Sequence, residues 1–401
     1  MKVLDVTEFY SERGGGVRSH LSLKQHELCQ RGHQHVVVAP GSTAREESPL
    51  AHLVGRARVI RVKGPAMPYD PTYHFLVRVD KIHAIIKAEH PDVLEIHSPY
   101  VAALAALTAP ASSFGVRTFQ WHSDFIDTYA GTLQAHLEGR RGAALAALGL
   151  GPAGRSLWGM VRLIGRRCRA TLVASRWQRD KLRRHGVPRV VHVPFGVEKS
   201  VFGAAVPDPA LRAELLGGAE GDLLVGVGRF AIEKRWDVLL DGFFRYRASG
   251  GRARLVLCGD GPERERLRAM IGDRDDVTLR GFVKGRAELA RVLASADALV
   301  HACPFETFGL SIAEAIAAGL PAVLPDEGGA AEMADPRYAE TYRAGDPDAL
   351  ARAITALLGR DRASLRAEAR AAGQAMPSVG DQFASQIELY RRLLAGEVID
   401  A

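Results

Sequence analysis

The chain has 401 residues, of which 47% are hydrophobic and 25% charged, which excludes a disordered protein and is typical of globular ones. At roughly 100–200 residues per domain, this length predicts two domains. The formal net charge of +7 indicates anionic partners, and charge alone leaves nucleic acid, anionic lipid and phosphorylated small molecules open. The opening MKVLDV lacks the apolar core of a secretory signal, and apolar runs such as 143–148 fall well short of the roughly 18 residues of a membrane span. A cytoplasmic location is therefore expected.

Short apolar runs alternate with segments of helical period, a pattern typical of repeated βαβ units and parallel sheets. In the first half this predicts strands at 2–6, 35–39, 93–96, 116–121, 171–174 and 190–193, and helices that include 17–31, 75–89 and 176–185. In the second half it predicts strands at 223–228, 253–258, 276–280, 297–300 and 321–324, and helices near 235–248, 262–271, 286–294 and 309–318. A polar, proline-containing stretch at about 198–221 separates the two series. The predicted domains are 1–197 and 198–377, followed by an amphipathic helix at roughly 380–395 that needs an apolar surface to cover.

Two other features concern partners. The cysteines, Cys29, Cys168, Cys258 and Cys303, are scattered without a Cys-x-x-Cys pair, which argues against a disulfide framework and a zinc site. Residues 132–169 interrupt the alternation of strands and helices with arginines and Trp158. They are either an amphipathic element that touches an anionic membrane surface or a helical insertion with a solvated basic face.

The segment 304–324 places Glu306 and Glu314 around the start of a predicted helix. On one continuous helix the two acids would lie about 80° apart, so we expect Glu306 in the preceding loop and a helix that begins near Gly309. The N–H groups at 309–311 then form an anion site, with the two carboxylates placed to grip sugar hydroxyls. The alternative is a solvent-facing helix with an acidic first turn.

Basic residues follow the predicted strand at 223–228. Arg229 and Lys234 come after Gly226-x-Gly228, at the carboxyl end where open α/β sheets bind ligands. A guanidinium and an ammonium in that place suit a diphosphate. The alternative is ordinary charge in a loop.

A glycine-rich loop follows the first strand. Gly14, Gly15 and Gly16 permit close approach of a ligand to the start of the next helix. Ser19 replaces the third glycine of the G-x-G-x-x-G pattern and no acid follows about 20 residues on, which disfavours an NAD site. A flexible tight turn is the alternative.

Histidines end two predicted strands. His122 follows strand 116–121, where it would contact a donor sugar or be a buried histidine held by Asp124. His97, after strand 93–96, is a similar candidate on the acceptor side. Val283, in the GFV that follows strand 276–280, offers backbone groups to a base edge.

The ordered set GGGVRSH, WHSD, PFGVEKSVF, GVGRFAIEK, CGDGPE, GFV, ETFGLSIAEA and EGGAAE resembles glycosyltransferase family 4, the retaining GT-B transferases, over nearly the whole chain. The resemblance implies two Rossmann-like, doubly wound parallel-sheet domains facing across a cleft. The first would serve the acceptor and the second a nucleotide-sugar donor, with the C-terminal helix at 378–401 crossing back to the first. Phe195, where Asn is commoner, and Arg235, where Gly is usual, depart from the family pattern.

The resemblance also implies roles for the residues above. The donor diphosphate would lie on Arg229, Lys234, Gly16 and the amides of Gly309 and Leu310; Glu314 would hold the ribose and Val283 the base; His122 and Glu306 would be catalytic, with His97 and Asp124 on the acceptor side. No metal or other cofactor is expected, because arginine and lysine supply the cation's charge. The leaving diphosphate would be stabilised electrostatically, and its oxygen would take the acceptor proton.

The predicted function is transfer of a hexose from a UDP-sugar to a lipid or lipid-linked acceptor, at the inner face of the plasma membrane. The opening DVTEFYSERGGGVRSH and WHSDF resemble the branch of the family that acts on diacylglycerol-type glycolipids. GDP-mannose or a soluble acceptor is the alternative within the family. A non-catalytic nucleotide-sugar binder is disfavoured because the catalytic set is present. A nucleic-acid-binding protein is disfavoured because no aromatic-basic module is found.

Overall fold

The computed structural model describes residues 1–11, 15–50, 55–122, 124–126 and 156–399, which form two compact α/β units. The first unit comprises Met1–Pro194 and Val379–Ala401, and the second comprises Phe195–Ser378. These limits lie close to the predicted ones at 197/198 and 377/378. None of the described helices combines the length and the apolar character that a membrane crossing needs.

The described part of the first unit contains an eight-stranded sheet of order β3-β4-β2-β1-β5-β6-β7-β8. Its strands are β1 (Lys2–Val6), β2 (Gln34–Gly41), β3 (Arg45–Glu47), β4 (Ala57–Lys63), β5 (Val93–Ile96), β6 (Val116–Trp121), β7 (Ala170–Val173) and β8 (Val190–His192). Every neighbouring pair is parallel except β3 with β4 at the edge. Strand β1 lies between β2 and β5, so the strand order reverses there, which is where ligands bind in such sheets.

The helices of the first unit are Gly16–Gln30, Val79–Glu89, Val101–Thr108, Arg176–Arg184 and Val379–Leu394, with a short turn at Ala111–Ser113 and a helical stretch at 156–167. The helix predicted from residue 75 begins at Val79, because the N–H of Phe75 donates to the Pro65 carbonyl in an extended segment. Most of the segment 132–169 lies outside the described residues; in its described part Trp158 is buried.

The helix Val379–Leu394 supplies the last wall of the first core. Its Phe383, Ile387 and Tyr390 are buried with Val3 and Val93 of the sheet. A fully buried side chain of this size contributes about 1.5–3 kcal/mol. The predicted amphipathic helix is therefore confirmed, and the surface that it covers belongs to the first unit.

The second unit contains a six-stranded, fully parallel sheet of order β11-β10-β9-β12-β13-β14. Its strands are β9 (Leu223–Val227), β10 (Arg254–Cys258), β11 (Val277–Gly281), β12 (Ala298–Val300), β13 (Ala322–Pro325) and β14 (Ala339–Tyr342). Its helices are Pro209–Leu216, Trp236–Ala248, Arg264–Ile271, Arg286–Ser295, Leu310–Ala317, Gly328–Glu332, Pro347–Leu358 and Arg362–Ala375, with a 3₁₀ turn at Ile232–Lys234.

Helices cover both faces of this second sheet. Leu223 and Val225 join one apolar cluster, whereas Leu224 between them joins another, because alternate side chains of a strand point to opposite faces. The strand order reverses between β9 and β12. The residues that follow these two strands are therefore expected to share one crevice.

Candidate active site

An ion pair joins the two strands at the reversal point of the second sheet. Lys234, in the turn after β9, contacts the carboxylate of Glu306, in the loop after β12, and Nε2 of His301 lies 3.3 Å from Oε1 of Glu306. Burial alone would raise the pKa of Glu306, but Lys234 and His301 outweigh it and hold that pKa well below its usual value. Burial likewise opposes the charge of Lys234, yet Glu306 raises its pKa. Both groups are therefore ionised at neutral pH.

Two glycines of the EGGAAE motif hold the Glu306 loop in place. The N–H of Gly329 donates to the Glu306 carbonyl at 2.7 Å. A Cβ at Gly328, where φ is +71°, would lie 2.3 Å from the Pro304 carbonyl oxygen. The sequence analysis gave these glycines no role; the structure makes them the support of the loop.

The helix Leu310–Ala317 begins where the sequence predicts. Gly309 precedes it in the left-handed conformation, with φ of 88°, and Glu306 lies in the loop before it. Because the first N–H groups of a helix have no partner within it, the amides of Gly309 and Leu310 lie at a site suited to an anion.

Glu314 lies inside that helix with a partner that the sequence analysis missed. Its Oε1 accepts from Nη2 of Arg286 at 2.9 Å, and the Glu314 side chain is only 8% exposed. Burial raises the pKa of Glu314, and Arg286 opposes that shift. Arg286 also pairs with Glu198 and lies over the ring of Phe202. Arg286, 28 positions away in sequence, thus holds Glu314, the residue predicted to bind the ribose. No local sequence pattern indicates this pairing.

Arg229 follows β9 at the same crevice, and 29% of its side chain is exposed. The two glycines before it serve packing, since a Cβ at Gly226 would lie 2.9 Å from the ring of Trp236. Trp236 in turn donates to the Arg229 carbonyl at 2.9 Å. Val283 lies beyond β11, half-buried against the apolar cluster of the second unit.

Three histidines meet at the carboxyl edge of the first sheet. Nδ1 of His97 lies 2.6 Å from Nε2 of His122, and the ring of His20 contacts the ring of His122 with centroids 4.8 Å apart. Burial, followed by the nearby cations, holds the pKa of His122 well below its usual value. The structure thus brings together His122 and His97, and it adds His20, which the sequence analysis did not single out.

The other two predicted residues of the first unit, Asp124 and Gly16, belong to different segments of the chain. Asp124 is 1% exposed and forms a buried ion pair with Lys181, so its carboxylate serves the core. Gly16 opens the helix Gly16–Gln30, where a Cβ would meet nothing within 4 Å. Gly15 before it has φ of 115°, and Gly14 lies outside the described residues.

Two clusters among the described residues bring together side chains of the types that can bind metals, and in each cluster a lysine contacts a carboxylate. One is His301, Cys303 and Glu306; the other is Asp5, Glu95 and His97. Lys234 contacts Glu306 in the first group, and Lys24 lies between both carboxylates of the second. Burial raises the pKa of Cys303 to about 12, which disfavours the thiolate that binds metals. In both places a lysine ammonium lies against the carboxylates.

Two doubly wound, mostly parallel sheets are the arrangement of the GT-B fold, which confirms the predicted fold class. The fold resembles sucrose-phosphate synthase from Thermosynechococcus elongatus, with a TM-score of 0.80 and 19% identity over 99% of this chain and 100% of that one. It also resembles HepE of Anabaena in complex with UDP and glucose, with a TM-score of 0.73 and 16% identity over 98% and 99%.

Sequence comparison gives the family. The family model described as Glycosyltransferase Family 4 matches residues 14–201, and the one described as Glycosyl transferases group 1 matches residues 221–360. A GDP-mannose-dependent alpha-(1-6)-phosphatidylinositol dimannoside mannosyltransferase of Mycobacterium tuberculosis is 30% identical over 92% of this chain and 91% of its own. A GDP-mannose-dependent alpha-mannosyltransferase of the same species is 28% identical over 98% and 97%. The chain belongs to glycosyltransferase family 4, as the sequence motifs indicated.

Proposed function

We propose that this glycosyltransferase moves a mannosyl group from GDP-mannose to a hydroxyl of a glycolipid of the phosphatidylinositol mannoside kind, with retention of configuration. The observation that carries the proposal is the Lys234–Glu306 pair beside the start of the helix Leu310–Ala317. The names of the relatives that match along most of the chain favour GDP-mannose over the UDP-sugar predicted from the sequence.

The donor is expected to lie on the second unit. Its diphosphate binds Arg229, Lys234 and the amides of Gly309 and Leu310. An ammonium has three donors, so Lys234 can bind a phosphate oxygen while it keeps Glu306. Glu306, held ionised, accepts a hydroxyl of the mannosyl group.

The nucleoside is expected to lie next to these groups. Glu314 accepts from the ribose hydroxyls, with Arg286 holding its Oε1. Val283 offers its backbone to the base. Recognition of the base through main-chain groups leaves little trace in side-chain identity, which is why the motifs alone did not separate GDP from UDP.

Stabilisation of the charge that develops on the departing diphosphate lowers the barrier to transfer. Arg229, Lys234 and the helix start stabilise that charge as it develops in the transition state, which requires no metal ion. A diphosphate oxygen takes the proton of the acceptor hydroxyl, which attacks the anomeric carbon from the face that the diphosphate leaves. His122 contacts the sugar near that carbon, and no protein carboxylate forms a covalent intermediate.

The acceptor is expected to be held in a membrane, with the protein peripheral on its inner face. Arg166, Arg167 and Arg169, the described end of the basic segment 132–169, are exposed and available to anionic headgroups. Flotation with vesicles tests this. Anionic vesicles should carry the protein and neutral ones should not; equal flotation with both would contradict the electrostatic contact.

Donor choice is tested by thermal shift and by transfer. At equal concentration GDP should raise the melting temperature more than UDP or ADP, because the nucleotide with the lowest Kd stabilises the protein most. A ligand at 100 times its Kd stabilises by about 2.7 kcal/mol. Lys234→Met should lose that shift. A larger shift with UDP, or transfer from UDP-glucose in preference to GDP-mannose, would overturn the assignment of the donor. The anomeric configuration of the product tests retention, and activity in EDTA tests metal independence.

A further inference from the structure

Beneath His122 lies a buried network of charged groups. Nζ of Lys24 lies 2.9 Å from Asp5 and 2.6 Å from Glu95, and Nε2 of His97 lies 3.2 Å and 3.3 Å from the same two carboxylates. All four side chains have no exposure to solvent. Two carboxylates therefore lie within ion-pair distance of one lysine and one histidine in a site closed to bulk solvent.

The charges in this site balance only if His97 carries a proton on both nitrogens. The titratable and polar groups that contact His97 or its two carboxylates are Asp5, His20, Lys24, His35, Glu95, Thr118, His122, Gln386 and Tyr390. Two ionised carboxylates against Lys24 alone leave a negative charge, and an uncompensated buried charge is costly. Although burial opposes it, the pKa of His97 is raised by Asp5 and Glu95, whereas burial lowers the pKa of His20, His35 and His122.

The contact between His97 and His122 is an edge-to-edge hydrogen bond. The planes of the two rings are inclined by only 21°, with centroids 4.9 Å apart and the facing nitrogens at 2.6 Å. A doubly protonated His97 must donate through Nδ1, so Nε2 of His122 accepts. The neutral ring of His122 then carries its own proton on Nδ1.

We propose that His97 is a positioning residue for this transferase: clamped as an imidazolium between Asp5 and Glu95, it orients His122 and fixes it as the Nδ1–H tautomer. The effect on transfer rests on the role proposed for His122 beside the sugar, whereas the tautomer itself does not. With the tautomer fixed, His122 presents its Nδ1–H to a ligand as a hydrogen-bond donor. The charge of His97 keeps His122 neutral across the physiological pH range.

Nitrogen NMR of the full chain with labelled histidines tests the tautomer directly. His97 should give the pattern of a ring protonated on both nitrogens at pH 7.5, and His122 that of a neutral ring protonated on Nδ1. Assignment comes from His97→Gln and His122→Gln. A neutral His97, or a His122 with its proton on Nε2, would overturn the proposal whether or not the protein transfers mannose.

Kinetics separate positioning from mere packing. His97→Gln removes the donor at Nδ1, and kcat should fall roughly 10- to 100-fold, on the scale of the loss seen when the group that orients a metal-binding histidine is removed. The KM for the donor should change little. His97→Asn places an amide donor near the Nδ1 position and should recover part of kcat.

The matched control is His35→Gln. His35 is equally buried, and its Nε2 lies 2.7 Å from the same Asp5. Within the described part of the chain, the His35 ring contacts Asp5, whereas the hydrogen bond to Nε2 of His122 comes from His97. The His35→Gln variant should lower the melting temperature as much as His97→Gln does, and it should leave kcat near the wild-type value. Equal kcat losses in the two variants would assign His97 a structural role only. If neither variant can be purified folded, the ring signals are assigned in the wild-type protein by correlation with the backbone, and the NMR result decides.

Discussion

Neutralising one partner of the Lys234–Glu306 pair should destabilise the second unit and abolish transfer. Removing one member of a buried ion pair costs about 3–5 kcal/mol. Because 24% of the Lys234 side chain and 12% of the Glu306 side chain remain exposed, water offsets part of that cost. We expect about 2–3 kcal/mol for Lys234→Met. The double variant with Glu306→Gln should recover 1 kcal/mol or more of that loss, on the order of the coupling seen between contacting residues, while transfer stays lost.

The assay is urea unfolding, with hydrogen exchange of the β9 and β12 peptides to locate the change in the second unit. The sign of the pH dependence follows from the pKa shifts. The pKa of Glu306 is lowered by folding, so its contribution is present above about pH 4.3 and is lost as the pH falls below that value. The pKa of Lys234 is raised, so its contribution is lost only as the pH rises above about 10.4. Near wild-type stability and transfer in Lys234→Met would refute the reasoning.

Three further predictions concern groups around this pair. Gly328→Ala should destabilise by about 2 kcal/mol or more, from a left-handed alanine and its collision with the Pro304 carbonyl, and should cut transfer; Gly345→Ala, with φ of +78° and open space around it, is the control on melting temperature and rate. Arg235 has φ of 51° where the family commonly has Gly, so Arg235→Gly should be more stable than Arg235→Ala by about 1 kcal/mol in urea titration; equal stabilities would contradict that. Arg286→Met should raise the KM for GDP-mannose about tenfold with little change in kcat, because it removes ground-state binding; a loss confined to kcat would argue against a ribose site.

The sequence predicted most strands and the start of the helix Leu310–Ala317. Short apolar runs indicate strands, and Gly309 marks the residue before the helix. Residues 309–318 were predicted as a helix with Glu306 outside it, and the structure agrees. Strands β3, β4 and β14 were not predicted. β3 is an edge strand, REE, whose polar side chains resemble a loop, and β14 has only four residues.

The charged networks were beyond sequence reasoning. Lys24 meets Glu95 across 71 positions, and Arg286 meets Glu314 across 28, so only the folded topology selects these partners. His97 and His122 were found because each follows a strand, whereas His20 lies within a helix and was missed. The contact between His97 and His122 was not predicted, since the sequence does not report how adjacent strand ends are spaced.

The helix Val379–Leu394 places Gln386 and Tyr390 against Glu95, although in sequence it follows the whole second unit. During synthesis, the sheet of the first unit is therefore incomplete until this helix emerges. Glu95 lacks Gln386 and Tyr390, and the apolar surface that the helix covers is exposed. The sheet can mature only after the second unit and the helix Val379–Leu394 have emerged. A nascent chain stopped before residue 379 should consequently recruit chaperones, although it already contains every strand of that sheet.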